Sequence, residues 1–128
     1  MGYFPMCVNL AGRRVFLVGD GPQIREKAER LAPFGAQLVH LKALTPQDLA
    51  DKPVFVIAGD LDAQEAERTA ALCAAHGVMI NVVDQPRLCT FAFPSLIARG
   101  DLTVSVSTAG KAPGAAAYLR ECIGRQLP

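Results

Sequence analysis

The run of residues 78–83 and the carboxylate that follows it constrain the fold of this chain most. The run is short and largely apolar, it is rich in β-branched side chains, and it ends at Asp84. Runs of this kind are typical of a strand buried on both faces, as in a parallel sheet. Open α/β sheets bind ligands beyond the carboxyl ends of such strands. Asp84 is therefore expected at a functional edge of the sheet, unless Asp-Gln-Pro forms an ordinary turn whose carboxylate bonds backbone amides.

Strands and helices alternate along the chain before this run. Three further strands are predicted, at residues 14–18, 36–41 and 54–58. The first strand leads through a glycine turn into a helix whose apolar residues recur at helical spacing. Gly35 follows that helix and is expected to adopt the left-handed conformation of a helix cap.

Further helices and a hairpin are predicted from residue 45 onward. Thr45 and Pro46 predict the start of a short helix. A longer helix follows through His76, and its narrow apolar stripe consists of Ala66, Ala70, Cys73 and Ala74. Strand-like runs at 96–98 and 102–106 predict a hairpin or extended arm, and a last helix runs through residue 126. This order predicts an α/β domain with a C-terminal appendage.

Composition and charge exclude several classes of protein. The 128 residues suffice for one independent core, and a net charge of +1 gives no nucleic-acid footprint. No apolar run could span a bilayer and no signal-peptide pattern is present, so we expect a cytoplasmic protein with neither nucleic-acid nor membrane partners. The four cysteines lack CxxC spacing. They could join His40 and His76 in a metal site, but buried thiols acting as small apolar groups are favoured, and no metal site is predicted.

The glycine turn Gly19-Asp20-Gly21 is half of a dinucleotide-binding fingerprint. Its two glycines would let a pyrophosphate approach the N-terminus of the following helix. Ile24 stands at the position of the third glycine, and its bulk is expected to push the helix away from the sheet. Lys42 follows the second strand where a ribose-binding carboxylate is usual, which leaves NADP open beside NAD. The alternative is an ordinary tight turn without a ligand.

A second polar turn, residues 107–113, precedes the last predicted helix. The segment from Thr108 to Lys111 could hold an anion through free backbone amides and the lysine charge. The alternative is a simple helix cap, in which the hydroxyl serves only the helix that it starts.

Taken together, these pieces resemble one family. The matching residues are Tyr3-Phe4-Pro5, the glycine turn followed by Arg25 and Lys27, Asn81-Val82-Val83-Asp84, Cys89-Thr90-Phe91, Phe93-Pro94-Ser95, and Val106-Ser107-Thr108 with Gly110-Lys111-Ala112-Pro113. The chain is similar to the N-terminal module of siroheme synthase, the precorrin-2 dehydrogenase and sirohydrochlorin ferrochelatase family. The similarity extends over nearly the whole chain, and the glycine turn is its least specific part.

The resemblance implies an NAD-dependent oxidation of precorrin-2 to sirohydrochlorin by a homodimer, often followed by insertion of iron, a substrate, in the same cleft. Asp84 matches the family's catalytic aspartate, which would act as a general base. The candidate cofactor residues are Gly19, Asp20, Gly21, Pro22 and Gln23 in the turn, with Lys42 and Ala43 after the second strand. Thr108 matches the hydroxyl-bearing position near the tetrapyrrole. Charge alone makes Lys111, Arg87 and Arg99 candidates for holding substrate carboxylates.

The expected fold is α/β: a Rossmann-like parallel sheet, one strand short, with a C-terminal dimerisation arm and helix. One strand is expected to be missing because only 12 residues bridge Leu41 and Val54, where the family has another helix and strand. We expect an NAD-binding domain at 1–90 and the arm and helix at 91–128. Two alternatives remain: a non-oxidising tetrapyrrole-binding or chelatase subunit with a degenerate nucleotide site, and a regulatory nucleotide-binding module without a tetrapyrrole role.

Overall fold

The computed structural model describes residues 1–128, which form two compact units. One unit spans residues 8–91, and the other combines residues 1–7 with residues 92–128. The strands are β1 (Arg14–Val18), β2 (Gln37–Leu41), β3 (Val56–Ala58), β4 (Ile80–Val82), β5 (Ser95–Arg99) and β6 (Leu102–Val106). The α-helices are α1 (Pro22–Leu31), α2 (Ala63–Ala75) and α3 (Pro113–Gln126), and 3₁₀ turns occur at Ala32–Phe34, Asp48–Asp51 and Pro86–Leu88. None of the helices has the length and apolarity that a membrane crossing requires.

Strands β1 to β4 form a parallel sheet in the order β2-β1-β3-β4. Val18 is in register with Leu41 on one side and with Ala58 on the other, and Ala58 is in register with Val82. The chain leaves β1 through α1 toward β2 and then returns to the other side of β1 for β3. The strand order therefore reverses between β1 and β3, where sheets of this class bind ligands. The predicted α/β class is confirmed, and the sheet has four strands.

Strands β3 and β4 are shorter than the predicted runs 54–58 and 78–83. The amide of Val78 donates to the carbonyl of Cys73 at 2.9 Å, so residue 78 belongs to the end of α2. Beyond β4, the amide of Gln85 donates to the carbonyl of Val82 at 3.1 Å and closes a tight turn. The apolar pattern identifies the buried segment around β4 correctly. Its two ends do not pair with β3, because they form the hydrogen bonds of the α2 cap and of the turn after β4.

The segment between β2 and β3 covers one face of the sheet without a full helix. Thr45 and Asp48 bond reciprocally, with the Thr45 amide 2.8 Å from Asp48 Oδ2 and the Asp48 amide 3.3 Å from Thr45 Oγ1. The predicted start is thus correct, but the helix is a single 3₁₀ turn. Leu44 and Leu49 are fully buried in the same core cluster as Val18. Two leucines therefore fill the space that an additional helix would cover.

Helix α2 ends at Ala75, one residue before the predicted end at His76. Asp62 Oδ1 accepts from the Glu65 amide at 2.8 Å, which caps the N-terminus, and Gly77 follows the helix with a φ of 67°. The predicted apolar stripe is wrong at one position, because Ala74 is exposed and Thr69 is fully buried instead. The Thr69 hydroxyl donates to the carbonyl of Glu65 at 2.7 Å, which satisfies it without water.

In the second unit, β5 and β6 form the predicted antiparallel hairpin. Arg99 is in register with Leu102, so residues 100 and 101 make the two-residue turn. The last helix also forms as predicted, as α3 (Pro113–Gln126), and it contacts both strands. Gly124 faces Ile97, whose Cδ1 would lie 3.6 Å from a Cβ added to the glycine. A methyl group at position 124 would thus make an ordinary contact with β5, so the packing of α3 on this strand does not depend on the glycine.

Candidate functional site

The turn after β1 meets the turn after β3 where the strand order reverses. The amide of Gly59 donates to the carbonyl of Val18 at 3.0 Å. Gly19 has a φ of 122°, which other residues rarely adopt, and a Cβ added there would lie 1.9 Å from the Gly59 carbonyl oxygen. The packing of the two turns by itself therefore requires glycine at position 19.

Ile24 does not push α1 away from the sheet, contrary to the expectation from its bulk. Its side chain is 2% exposed, and α1 contacts both β1 and β3. A Cβ added to Gly59 would lie 3.3 Å from Ile24 Cδ1. The missing side chain at position 59 makes the room that a third glycine in the turn would otherwise provide.

A cavity of about 400 Å³ opens beyond the carboxyl ends of β3 and β4. It is lined by Gln23 of α1, residues 59–61 after β3, Ala66 of α2, and residues 82–85, which begin with the last residue of β4. Small-molecule sites usually enclose about 300–1,000 Å³. Its lining contains two carboxylates, Asp60 and Asp84, and no cation. The cavity thus combines a suitable size with two proton acceptors.

Asp84 lies at the rim of this cavity in a strained backbone conformation. Its φ of 64° is uncommon for a residue with a side chain, although Asp tolerates it better than most. The carboxylate accepts a hydrogen bond from Gln23 Nε2 at 3.0 Å through Oδ2. Asp84 therefore occupies a turn, as one interpretation of the sequence held, but its carboxylate bonds a side chain from a distant element.

Asp60 is a site residue that sequence reasoning missed. Its Oδ2 accepts from the Ile24 amide at 3.2 Å, and a Cβ added to Gly21 would lie 2.4 Å from its Cγ. The carboxylate thus lies against the N-terminus of α1, where a helix of this kind binds phosphate. The signal was available, because Asp60 follows a buried strand in the same way as Asp84 does.

The backbone of the glycine turn is suited to a bound pyrophosphate, but the Asp60 carboxylate competes for the same helix N-terminus. Gly21 has no side chain to block the helix N-terminus, and Pro22 has a φ suited to the first helical position. Asp20 is exposed. The Asp60 carboxylate is the anion that already accepts from an α1 amide. A pyrophosphate at this helix would meet the charge of Asp60 as well as the helix dipole.

The two cofactor candidates after β2 lie beside the glycine turn. The amide of Gly19 donates to the carbonyl of Leu41 at 2.9 Å, which ties the end of β2 to the turn. Lys42 and Ala43 follow directly and are both exposed. Their position at this edge of the sheet suits contact with the ribose end of a dinucleotide.

The outer edge of β4 is covered by the segment that follows Asp84. Thr90 Oγ1 accepts from the Ile80 amide at 2.8 Å, and Cys89 Sγ accepts from the Val82 amide at 3.2 Å. Asn81 Nδ2 donates to the carbonyl of Phe91 at 3.0 Å. Burial raises the pKa of the Cys89 thiol, partly offset by its hydrogen bond to Val82. These bonds, which the sequence did not predict, hold the strand that presents Asp84.

The four candidates for substrate binding lie in different surroundings. The guanidinium of Arg87 pairs with the carboxylate of Glu67 on α2. In the other unit, Arg99 ends β5 and Lys111 lies in the turn before α3, and both are exposed. Thr108 Oγ1 accepts from the Ala112 amide at 3.0 Å. The Thr108 hydroxyl therefore bonds within the turn before α3, and no side chain caps the helix N-terminus at Ala112.

The thiols and imidazoles form no metal centre. No group of three or more His, Cys, Asp or Glu side chains lies close enough to hold a metal ion. Burial raises the pKa of Cys73 to about 11, so it is a neutral thiol in the core. The interpretation of the cysteines as buried is correct for Cys73 and wrong for Cys7, which is exposed in an N-terminal segment without secondary structure.

Comparison with known proteins adds independent information. Residues 38–95 match a family model described as "Putative NAD(P)-binding". Siroheme synthase of Azotobacter vinelandii is 35% identical over 151 residues, covering 100% of this chain and 32% of that protein. Siroheme synthase 2 of Aeromonas salmonicida is 36% identical over 150 residues, covering 100% of this chain and 30% of that protein. The chain thus spans about a third of the length of the curated relatives that it matches.

A solved structure gives the same fold. The structure titled "SirC, precorrin-2 dehydrogenase" matches with a TM-score of 0.72 at 17% identity, covering 98% of this chain and 71% of that one. At this identity the likeness shows the Rossmann-like fold alone. The alignments to the curated relatives run over more residues than this chain has, as expected if a segment present in them is missing here.

Proposed function

The chain belongs to the siroheme synthase N-terminal domain family, and from this premise we propose that it oxidises precorrin-2 to sirohydrochlorin with NAD in the cytoplasm. The observation that carries the proposal is Asp84. Its carboxylate follows a buried parallel strand, lines a cavity of about 400 Å³ and is held by one hydrogen bond on Oδ2. The other oxygen, Oδ1, is available to a substrate.

The reaction removes a hydride and a proton from the tetrapyrrole, and NAD supplies the hydride acceptor when bound. Asp84 Oδ1 takes the proton as general base. The α1 N-terminus and the glycine turn, from Gly19 to Gln23, hold the pyrophosphate, with Lys42 and Ala43 at the ribose end.

Substrate carboxylates are held by cationic and hydroxyl groups in this proposal. Arg99 and Lys111 are exposed and provide positive charge, and Thr108 contributes a hydroxyl. Arg87 is shared with Glu67, so it can bind a substrate carboxylate only by exchanging that partner. Iron is a possible second substrate for the same site, with Asp84 accepting pyrrole protons during chelation.

The proposed oxidation is tested by adding precorrin-2 and NAD to the purified protein and following the absorbance of sirohydrochlorin. We expect sirohydrochlorin and NADH to appear in equal amounts, because one hydride leaves each substrate molecule. A parallel reaction with NADP measures which cofactor is used. If neither cofactor supports turnover while calorimetry still shows sirohydrochlorin binding, the oxidation is wrong. The result would then favour a tetrapyrrole-binding subunit that does not oxidise its ligand.

A second candidate function is a non-oxidising tetrapyrrole-binding or chelatase subunit. The observation that favours it is the Asp60 carboxylate at the N-terminus of α1, because this charge opposes a pyrophosphate there. Iron insertion requires proton acceptors but no dinucleotide, and Asp84 alone could provide one. Saturable binding of sirohydrochlorin without any binding of NAD would support this candidate.

Asp60→Asn is expected to tighten the binding of NAD. The asparagine keeps the shape, can accept from the Ile24 amide through its carbonyl and tolerates the φ of 58° at this position. Removing one negative charge beside a pyrophosphate at a partly solvated site contributes about 1 kcal/mol, so the dissociation constant should fall about fivefold. Isothermal titration calorimetry at low salt measures the dissociation constant for NAD in the variant and the wild type.

Asp20→Asn is the comparison for this prediction. Asp20 belongs to the glycine turn after β1 and is exposed, but its carboxylate does not bond an α1 amide. Replacing Asp20 should change the dissociation constant for NAD less than replacing Asp60 does. Weaker or unchanged NAD binding in Asp60→Asn would contradict the role of Asp60 as a competing anion.

The protein is further proposed to be a homodimer through its C-terminal arm. The arm is a two-stranded hairpin, which is marginally stable by itself in water. The same unit leaves Leu102, Tyr118 and Leu119 exposed by 47%, 65% and 47%. Light scattering at high micromolar concentration should give twice the monomer mass, and a monomer there would argue against exchanged arms.

A further inference from the structure

Gln23 joins three loops through the two ends of its side-chain amide. Its Oε1 accepts from the backbone amide of Asp60 at 2.9 Å, and its Nε2 donates to Asp84 Oδ2 at 3.0 Å. A backbone N–H can only donate, so the oxygen end of the amide must face Asp60. The nitrogen end then faces Asp84, and the orientation of the amide follows from its partners.

Both carboxylate residues that Gln23 contacts lie in the left-handed region of backbone conformation. Asp60 has a φ of 58° and Asp84 a φ of 64°. Such positions persist where surrounding contacts hold them, and they are frequent at functional sites. Gln23 is half-buried in the first turn of α1, so it is itself held by the helix. Its amide thus connects the turns after β1, β3 and β4 at the edge of the cavity.

We propose that Gln23 is the positioning residue for Asp84 in the oxidation, a role that rests on the proposed function above. The Nε2 donor occupies Oδ2 and leaves Oδ1 as the oxygen that accepts the substrate proton. The resemblance assigns Gln23 to the cofactor turn, and each end of its side-chain amide already makes one of these two contacts.

The electrostatic surroundings of this pair are simple. The charged side chains that line the cavity are Asp60 and Asp84, and both are acidic. The nearest cations along the chain are Arg25, two residues from Gln23, and Arg87, three residues from Asp84. Neither lines the cavity, and Arg87 pairs with Glu67. Gln23 is thus the neutral hydrogen-bond donor to the general base Asp84 in a cavity whose charged lining is acidic. Replacing this donor should change proton transfer more than it changes binding.

Two substitutions of Gln23 distinguish the effect of its hydrogen bonds from the effect of its side-chain size. Gln23→Met keeps the length and removes both hydrogen bonds. Gln23→Glu can still accept from the Asp60 amide, but it replaces the donor to Asp84 Oδ2 with a second carboxyl oxygen, so that the hydrogen bond is lost and two acidic groups face each other. Gln64→Met and Gln64→Glu are the matched controls, because Gln64 is exposed on α2 and does not line the cavity.

The split between kcat and KM for precorrin-2 is the informative measurement. In Gln23→Met, kcat should fall about tenfold while the KM values for precorrin-2 and NAD stay near those of the wild type, because the bond that holds the base is lost and the binding groups are kept. Gln23→Glu should lower kcat further, because a carboxylate replaces a donor. The Gln64 variants should match the wild type. An unchanged kcat in both Gln23 variants, or a loss confined to the KM for NAD, would overturn the proposal.

A second measurement keeps this inference separate from the proposed function. In protein labelled with ¹³C at aspartate carboxyl carbons, the resonance missing in Asp84→Asn identifies Asp84, and its chemical shift can be measured without substrate. At neutral pH that chemical shift should move in Gln23→Met and in Gln23→Glu, and it should not move in the Gln64 variants. If the wild type oxidises no precorrin-2, the proposed function fails while the chemical shift still tests the contact. A chemical shift unchanged in both Gln23 variants would show that Gln23 does not hold Asp84.

Discussion

Asp84→Asn should reduce the oxidation of precorrin-2 by about 100-fold or more, because general-base catalysis by a positioned side chain contributes about 10²–10⁴ in rate. Asparagine tolerates the φ of 64°, and its carbonyl oxygen can still accept from Gln23 Nε2. The substitution therefore removes the base while it keeps the contacts of the turn. Initial rates of sirohydrochlorin formation at saturating NAD measure the effect on kcat.

The control for this prediction is Asp51→Asn, which removes an exposed carboxylate in the same unit. Asp51 lies 3.6 Å from Arg14, and an exposed pair of this kind contributes at most about 1 kcal/mol to stability. Both variants should unfold near the wild-type midpoint in urea. If Asp84→Asn retains turnover within about threefold of the wild type, then another group accepts the proton and the proposed mechanism is wrong.

Gly19→Ala should lower the free energy of unfolding by about 3 kcal/mol or more, or prevent folding altogether. A Cβ at this position would lie 1.9 Å from the Gly59 carbonyl oxygen, far inside contact distance. That oxygen belongs to a backbone tied to β1 by the bond from the Gly59 amide to Val18, so it cannot move away cheaply. The φ of 122° adds a conformational cost for any side chain.

Gly12→Ala separates these two contributions. Gly12 has a φ of 70°, and nothing lies within 4 Å of a Cβ added there. Its replacement should cost only the conformational term, about 1 kcal/mol. Urea unfolding followed by circular dichroism gives both values under one set of conditions. A loss in Gly19→Ala no larger than in Gly12→Ala would mean that the two turns are not packed as closely as described.

The parts of the fold that depend on local sequence could be predicted. The strand β1, its glycine turn and α1 are each specified by residues adjacent in the chain. The same holds for the left-handed Gly35, with a φ of 76°, and for the two-residue turn between β5 and β6. Hydrophobic periodicity and cap residues are short-range signals, so they fix an element without reference to the rest of the molecule.

The errors occur where tertiary contacts compete with these local signals. The amide of Val78 bonds the end of α2 instead of starting β4, and Ile24 is accommodated because position 59 has no side chain. Neither partner is a neighbour in the sequence. Arg87 was selected for its charge alone, but the structure pairs it with Glu67, a residue 20 positions away on α2.

The sequence by itself determined that a buried parallel strand ends in the carboxylate of Asp84, because apolar runs and the residues that end them are read locally. Only the tertiary structure brought Gln23 to Asp84 across 61 positions and to the Asp60 amide across 37. The physical reason is the register of the parallel sheet, which aligns the carboxyl ends of β1, β3 and β4 at one edge. Side chains that are remote in the chain meet there, and their pairing decides which atom of Asp84 remains available to a substrate.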